Sequence, residues 1–240
     1  MALPMMSMPK YTMTVPSTNQ TVKFRPFVVK EEKALLLAQQ SEDSSVMVDT
    51  LKDVLSACIE GDVNIDKLAT FDLEYLFTQL RAKSVGENIE LLFSCDSPGC
   101  IDNENARLKI GIDLTSLEVH KDPEHTNNIT LFGDVGVVMK YPSIETIKKM
   151  QKIDDENLEL VFKIMSKSID YIYQGDEFFY AKEQSDEELL TFVNNLTSEQ
   201  FMKLQKFFQT MPKLRKEIEY DCPVCHTHHK QVLEGMQSFF

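Results

Sequence analysis

The chain has 240 residues, with 25 Lys and Arg against 38 Asp and Glu, so its formal net charge is −13. Hydrophobic residues make up 42% and charged residues 26%, which is an ordinary globular composition and not a disordered one. The acidity argues against general binding to nucleic acid, which requires clustered Lys and Arg, and no apolar stretch approaches the ~20 residues of a membrane span. We therefore expect a soluble globular protein without nucleic-acid or membrane partners.

Residues 1–88 are predicted to form a hairpin followed by helices. Segments 12–15 and 21–25 show the period of two that is typical of strands, and the Pro, Ser and Asn residues between them favour a turn. In the second strand, Val22 and Phe24 fall on one face. Three helices are predicted after the hairpin, over residues 30–40, 46–58 and 71–83. The evidence is either a high content of helix-forming residues or apolar residues at steps of three and four.

Residues 89–142 are predicted to be an antiparallel β region that contains the first cysteine pair. Short apolar or alternating segments mark its strands, and Gly133-Asp134 marks a hairpin turn. The predicted strands lie in four segments: 89–93, 106–119, 129–132 and 135–141. We expect them to form one small central sheet.

Residues 143–213 are predicted to be helical, and residues 214–240 to return to strands. The first long helix is predicted over 154–173, where apolar residues follow the helical period. Two further helices are predicted to begin at capping boxes, one formed by Ser185 with Glu188 and the other by Thr197 with Gln200. The whole pattern predicts an α+β fold in a single composite domain over residues 1–240.

The cysteines are the residues of the chain with the clearest chemical pattern. Cys95 and Cys100 form a C-x4-C pair, Cys222 and Cys225 form a C-x2-C pair, and each pair follows a predicted strand. Two such turns facing each other supply the four thiolates of a zinc-ribbon-like site, although 121 residues separate Cys100 from Cys222. The sequence therefore predicts a structural zinc ion, bound by all four cysteines, that joins the central sheet to the C-terminal hairpin.

Two alternatives to a four-cysteine zinc site stay open, namely reduced thiols in partly buried turns and a disulfide. One of the neighbouring histidines (His226, His228 or His229) can also replace a cysteine ligand, although they are predicted to be polar residues of an exposed loop. Cys58 lies on the apolar stripe of a helix and is predicted to be a core residue. Four protein ligands leave no open coordination position, and the sequence contains no phosphate-binding loop or hydrolase motif. We expect no catalytic residues, no small-molecule substrate and no enzyme activity.

Several segments resemble one protein family, and the resemblance covers about residues 10–235. The segments are the strand 21–27 with its continuation to 33, the helix 71–77, the segment 80–87 and the two cysteine pairs. They resemble the baseplate hub assembly proteins of T-even-type contractile-tailed bacteriophages, especially those of marine and cyanobacterial relatives. The resemblance implies a part in building the baseplate hub, the central piece that carries the tail spike and receives the tail tube.

The resemblance implies that the partners are other phage baseplate or hub proteins. Our first expectation is a non-enzymatic, chaperone-like assembly factor that binds a hub subunit in the host cytoplasm during phage assembly. The alternative is a permanent structural subunit of the hub or wedge in the tail baseplate of the virion. A nucleic-acid-binding zinc ribbon or an enzyme is disfavoured by the charge of −13. Three exposed segments are candidates for partner contact: the helix face with Lys30, Glu31 and Lys33, the segment 81–87, and Phe239-Phe240. The alternative for the two terminal aromatic residues is that they fold back onto the C-terminal hairpin.

Overall fold

The computed structural model describes residues 7–41, 44–146 and 157–239. The chain divides into two compact units, the first comprising residues 1–63, 71–120 and 213–240 and the second comprising residues 64–70 and 121–212. Both contain helices and antiparallel strands, so the predicted α+β class is confirmed. The single composite domain stays a prediction, because it concerns cooperative folding and not compactness. Within the described segments, no helix combines the length and apolarity needed to cross a membrane.

The first unit begins with the predicted hairpin. Strands β1 (Tyr11–Thr14) and β2 (Thr21–Phe24) pair antiparallel, and a short strand β3 (Ile59–Glu60) adds to β2. The alternation of the sequence buries Val22 and Phe24 on one face, as predicted.

Three helices of the first unit follow the hairpin. They are α1 (Val29–Gln39), α2 (Ser44–Cys58) and α3 (Thr70–Ser84). The apolar stripe predicted for α3 and the C-terminal part of the one predicted for α2 are buried, with Leu55 and Leu76 fully inaccessible, whereas Val46 at the start of the α2 stripe is exposed. The buried carboxylate of Asp72 on α3 accepts hydrogen bonds from the backbone N–H (2.8 Å) and the hydroxyl (2.6 Å) of Ser17. These bonds fix the turn of the hairpin to the third helix.

Each segment predicted as a strand between residues 89 and 141 contains a strand, but 106–119 is not one continuous strand, and the strands do not form one sheet. A 3-10 turn over Leu114–Ser116 divides the segment 106–119 into two strands. Strands β4 (Asn88–Ser94) and β5 (Arg107–Asp113) form a two-stranded sheet. A separate three-stranded sheet has β11 (Lys213–Asp221) at its centre, with β6 (Glu118–His120) on one side and β12 (His228–Glu234) on the other. In the second unit, β7 (Asn128–Phe132) and β8 (Val135–Met139) join β9 (Ile169–Gln174) and β10 (Glu177–Tyr180) in the order β10-β9-β8-β7. The predicted single sheet is wrong because alternation identifies a strand without identifying its partner.

The helix predicted over 154–173 is too long at its C-terminal end. Helix α4 runs over Asn157–Lys167, and the chain then enters strand β9, while residues 154–156 lie outside the described segments. Residues 169–173 are rich in Ile and Tyr, which favour strands, and β9 is paired on both sides. The two-residue loop Gly175-Asp176, with Gly175 at φ +57°, closes the β9–β10 hairpin.

The remaining helices of the second unit begin where the capping boxes predict. Helix α5 (Asp186–Asn194) is capped by Ser185, and helix α6 (Ser198–Thr210) is capped by Thr197. In each box the side chain of the third helical residue accepts a hydrogen bond from the backbone N–H of the cap residue, at 2.8 and 2.9 Å. Both helices bury apolar residues in a core cluster shared with the four-stranded sheet, which includes Val137, Leu189 and Leu204.

A candidate metal centre formed by four cysteines

Two strand–turn–strand hairpins of the first unit deliver the four cysteines. Strand β4 ends at Ser94, and Cys95 follows it; the chain then turns through Gly99 (φ +89°) to Cys100. On the other side, β11 ends at Asp221, one residue before Cys222, and the chain reaches Cys225 before β12 begins. Both pairs therefore follow strands, as predicted.

The four sulfur atoms lie close together although they come from distant parts of the chain. The Sγ atoms of Cys95 and Cys225 are 3.7 Å apart, those of Cys100 and Cys222 are 4.0 Å apart, and all four lie within 4.8 Å of one another. Four thiolates at ~2.3 Å from a tetrahedral zinc ion are separated by about 3.8 Å, so the observed spacing fits such an ion. A disulfide needs about 2.05 Å between its sulfurs, and all five cysteines of the structure are free thiols.

Backbone and hydroxyl groups surround the sulfurs with hydrogen-bonding partners. The backbone N–H groups of Ser97 and Val224 donate to the Sγ atoms of Cys95 and Cys222, each at 3.4 Å. The hydroxyl of Thr227 lies 3.2 Å from the Sγ of Cys225. Hydrogen bonds to the charged form favour a thiolate, and thiolates are the form that binds a metal ion. The turns are therefore shaped to hold deprotonated sulfur.

Burial and crowding make the cluster electrostatically uneven. Cys95, Cys100 and Cys222 are buried, whereas Cys225 is exposed. Burial raises the pKa of the Cys100 thiol to about 12, while hydrogen bonding to Thr227 lowers the pKa of Cys225 to about 5. Sulfurs this close cannot all ionise without a compensating positive charge. A divalent cation held by the four sulfurs would supply that charge, and its binding would release the remaining protons.

Of the three neighbouring histidines, His229 is the one beside the sulfurs. His226 and His228 are exposed, as predicted; His226 adopts φ +57° in the turn, whereas His228 is the first residue of strand β12 and not a loop residue, with its Nδ1 2.8 Å from Oδ1 of Asp221. His229 is half-buried, and its Nε2 lies 3.2 Å from the Sγ of Cys95. The prediction of an exposed loop residue is therefore wrong for His229, because it belongs to strand β12, opposite Tyr220. The ring of His229 therefore belongs to the immediate surroundings of the Cys95 sulfur.

Tyr220 joins the two hairpins beneath the cysteines. Its ring stacks on His229 at 5.1 Å between centroids and packs against Phe93 at 5.2 Å. Its hydroxyl donates to the backbone carbonyl of Ser94 at 3.2 Å, directly before the first cysteine. Sequence analysis missed Tyr220, although its place two residues before Cys222 in an alternating strand puts both side chains on one face. Tyr220 therefore links β11 to β4 directly beside the cluster.

The fifth cysteine and the predicted contact segments lie outside this cluster. Cys58 is buried in the core, as predicted, and burial raises its pKa to about 11, which makes it a poor nucleophile. Lys30 and Lys33 are exposed, but Glu31 is half-buried and pairs with Arg25 at 3.0 Å. Phe239 is buried in the core of the first unit together with Leu233 of the C-terminal hairpin, so the alternative that it folds back is confirmed, and Phe240 lies outside the described residues.

The arrangement can hold one ion in a closed four-sulfur shell. Such a shell leaves no position for water or a substrate, which is the feature of structural and not of catalytic zinc sites. The ligands would be Cys95, Cys100, Cys222 and Cys225, and a metal bound there would crosslink the β4–β5 and β11–β12 hairpins. The four cysteines thus fit a metal whose role is to stabilise the fold.

Comparison with known proteins identifies the family of the chain. Residues 8–240 match the family model described as T4 bacteriophage base plate protein. Comparison with curated proteins and with solved structures gave no significant match. The family match covers both units and both cysteine pairs. The chain therefore belongs to the T4 bacteriophage base plate protein family.

Proposed function

We propose that this protein is a non-enzymatic assembly factor of the phage baseplate hub, which binds a hub subunit and holds it competent for assembly. The family match over residues 8–240 supports the part of the proposal that assigns the protein to the phage baseplate. The more specific role of a hub assembly factor rests on the resemblance of segments 21–33 and 71–87 to hub assembly proteins. The protein then acts in the host cytoplasm while the tail is built.

The cysteine cluster supports a binding role in preference to a catalytic one. We propose that Cys95, Cys100, Cys222 and Cys225 hold a structural zinc ion, since the spacing of their sulfurs suits a tetrahedral ion and their shell is closed. The charge of −13 adds a second argument, because an acidic protein repels its own copies and attracts basic surfaces on a partner.

Co-expression with hub subunits of the same phage tests the proposal. We expect the protein to co-purify with one hub subunit, and we expect wedge subunits, expressed in the same way, to separate from it. Complete separation from every hub subunit at micromolar concentration in low salt would contradict a hub assembly role.

The alternative is a permanent structural subunit of the hub or wedge, which the same family match also favours. Quantitative mass spectrometry of purified virions separates the two roles. An assembly factor is missing or far below the amount of the known tail subunits, whereas a structural subunit is present in stoichiometric amounts.

A further inference from the structure

The four-stranded sheet of the second unit ends in an edge strand with an unusual composition. Strand β10 consists of Glu177, Phe178, Phe179 and Tyr180, and all four residues are exposed. Their exposed fractions are 54% for Phe178, 40% for Phe179 and 42% for Tyr180. In the part of the chain that the structure describes, β10 pairs with β9 alone. Three adjacent aromatic residues therefore lie on an open strand edge.

The opposite edge of the same sheet is protected. Strand β7 is covered by the side chain of Lys203 from helix α6, whose Nζ donates to the backbone carbonyls of Thr130 (3.3 Å) and Leu131 (3.0 Å). A lysine at a sheet edge is a recognised means of preventing the addition of another strand. The single charge within β10 is Glu177, at its start, and the strand contains neither Lys nor Pro. The two edges of one sheet are thus built in opposite ways.

The register shows which backbone groups of β10 face outward. Gln174 and Glu177 flank the two-residue loop, so they form a hydrogen-bonded pair with each other. Hydrogen-bonded and non-hydrogen-bonded pairs alternate along an antiparallel ladder. Phe178, opposite Tyr173, and Tyr180, opposite Tyr171, are therefore the residues whose N–H and C=O groups point away from β9. These groups are placed to pair with an incoming strand.

The side chains of the same two residues extend an aromatic surface over the sheet. Phe178 and Tyr180 each contact the ring of Tyr171, at 5.8 and 5.6 Å between centroids. They share the sheet face with Tyr171 and Tyr173, which is opposite to the face that Val137 buries in the core. Aromatic residues at the centre of an interface supply much of its binding energy. An incoming strand would thus find both backbone partners and an apolar surface.

The charges beside β10 indicate the kind of partner that it fits. Asp176 and Glu177 lie at its beginning, Glu183 follows it shortly after its end, and Lys182 lies over the ring of Tyr180 at 5.3 Å. The three carboxylates outnumber the one ammonium group, within a chain whose net charge is −13. A segment that carries Lys or Arg at its ends is therefore favoured over an acidic one.

We propose that β10 is a docking site for an extended segment of another baseplate subunit, which adds to the sheet as a fifth strand. The segment alternates apolar residues, which pack on Phe178 and Tyr180, with polar ones, and it carries basic residues at its ends. This mode of recognition is β-strand addition, in which backbone hydrogen bonds give affinity and alternate side chains give specificity. The inference rests on the proposed function only in taking the partner to be a baseplate subunit.

Synthetic peptides that tile the baseplate subunits of the same phage test the docking site, with binding to the full-length protein measured by fluorescence anisotropy. We expect the binding peptides to be basic and alternating. The Phe178→Pro variant removes one outward N–H, which an edge strand tolerates, and Tyr180→Ser removes an aromatic side chain. Each is expected to weaken binding at least about tenfold. The matched control is Phe132→Ser on strand β7, which removes an aromatic residue whose side chain is 62% exposed. This variant is expected to bind the peptides with the affinity of the wild-type protein.

Each outcome decides the inference. If Phe178→Pro does not fold, judged by its melting temperature, Tyr180→Ser alone decides. The inference is overturned if no peptide binds, or if the β10 variants bind as tightly as the Phe132→Ser control. Failure of the proposed hub assembly role gives a different result from failure of the docking site. In that case the intact hub subunits do not co-purify with the protein, but a peptide from a wedge subunit still binds at β10.

Discussion

Replacing Cys222 with Ser tests the structural role of the cysteine cluster. The substitution removes one of four sulfurs that lie within 4.8 Å of one another and leaves an incomplete ligand set. A metal bridge between Cys100 and Cys222 would close a loop of about 120 residues, for which the chain-entropy account of a crosslink gives about 5 kcal/mol. A weakened three-sulfur site retains part of this amount. We therefore expect the free energy of unfolding to fall by at least about 2 kcal/mol, as is usual for the loss of a structural metal.

Urea denaturation followed by circular dichroism, with the metal content of each sample measured in parallel, gives the comparison. Cys58→Ala is the matched control, because it removes a buried thiol outside the cluster and is expected to keep the full metal content. A chelator should destabilise the wild type and the control, and change Cys222→Ser much less. If Cys222→Ser stays within about 0.5 kcal/mol of the wild type, the range of neutral surface changes, the cluster is not structural.

Three further predictions concern groups outside the cluster. Asp72→Ala should lower stability by about 2–3 kcal/mol in urea denaturation, because it breaks both bonds to Ser17, whereas Ser17→Ala breaks one and should cost about 1 kcal/mol; equal effects would contradict this. Burial lowers the pKa of His125, so the neutral ring is favoured in the folded state, and stability should be full above about pH 6.5 and fall as the pH drops below it. A His125→Gln variant should show a flatter pH dependence, and an unchanged slope would refute the assignment. Gly136→Ala would place a Cβ in steric conflict with the hydroxyl oxygen of Tyr173 and 2.8 Å from the backbone carbonyl oxygen of Ile129, so it should destabilise the protein by about 1–3 kcal/mol, and a melting temperature equal to that of the wild type would argue against this packing.

Local patterns predicted the elements that depend on neighbouring residues. The boxes at Ser185 and Thr197 marked two helix starts, and Val22 and Phe24 marked the buried face of a hairpin. These features are decided within a few residues of sequence, so a single chain is enough to find them. The same holds for the turns that carry the cysteine pairs.

Strand partners could not be predicted in the same way. The segment 169–173 continues the apolar period of helix α4, and its pairing with β8 and β10 decides that it is a strand. Gly175-Asp176 was a usable signal, since a Gly-Asp loop between two strand-forming segments is typical of a hairpin. Without the hairpin, the open edge formed by β10 was not visible in the sequence.

For the candidate site, the sequence predicted which residues meet but not what surrounds them. Cys95 and Cys100 were predicted to meet Cys222 and Cys225 because two cysteine-containing turns that follow strands supply the four ligands of one metal site. The contacts of Tyr220 and His229 depend on the register of β11 with β12 and on the approach of β4. Those are tertiary features that no local spacing encodes.

The metal content of the wild-type protein tests the central claim most directly. Protein purified without added zinc should contain about one zinc ion per chain, and X-ray absorption should show four sulfur neighbours at ~2.3 Å. Fully folded protein that contains no metal, with all of its thiols free to react, would contradict the claim.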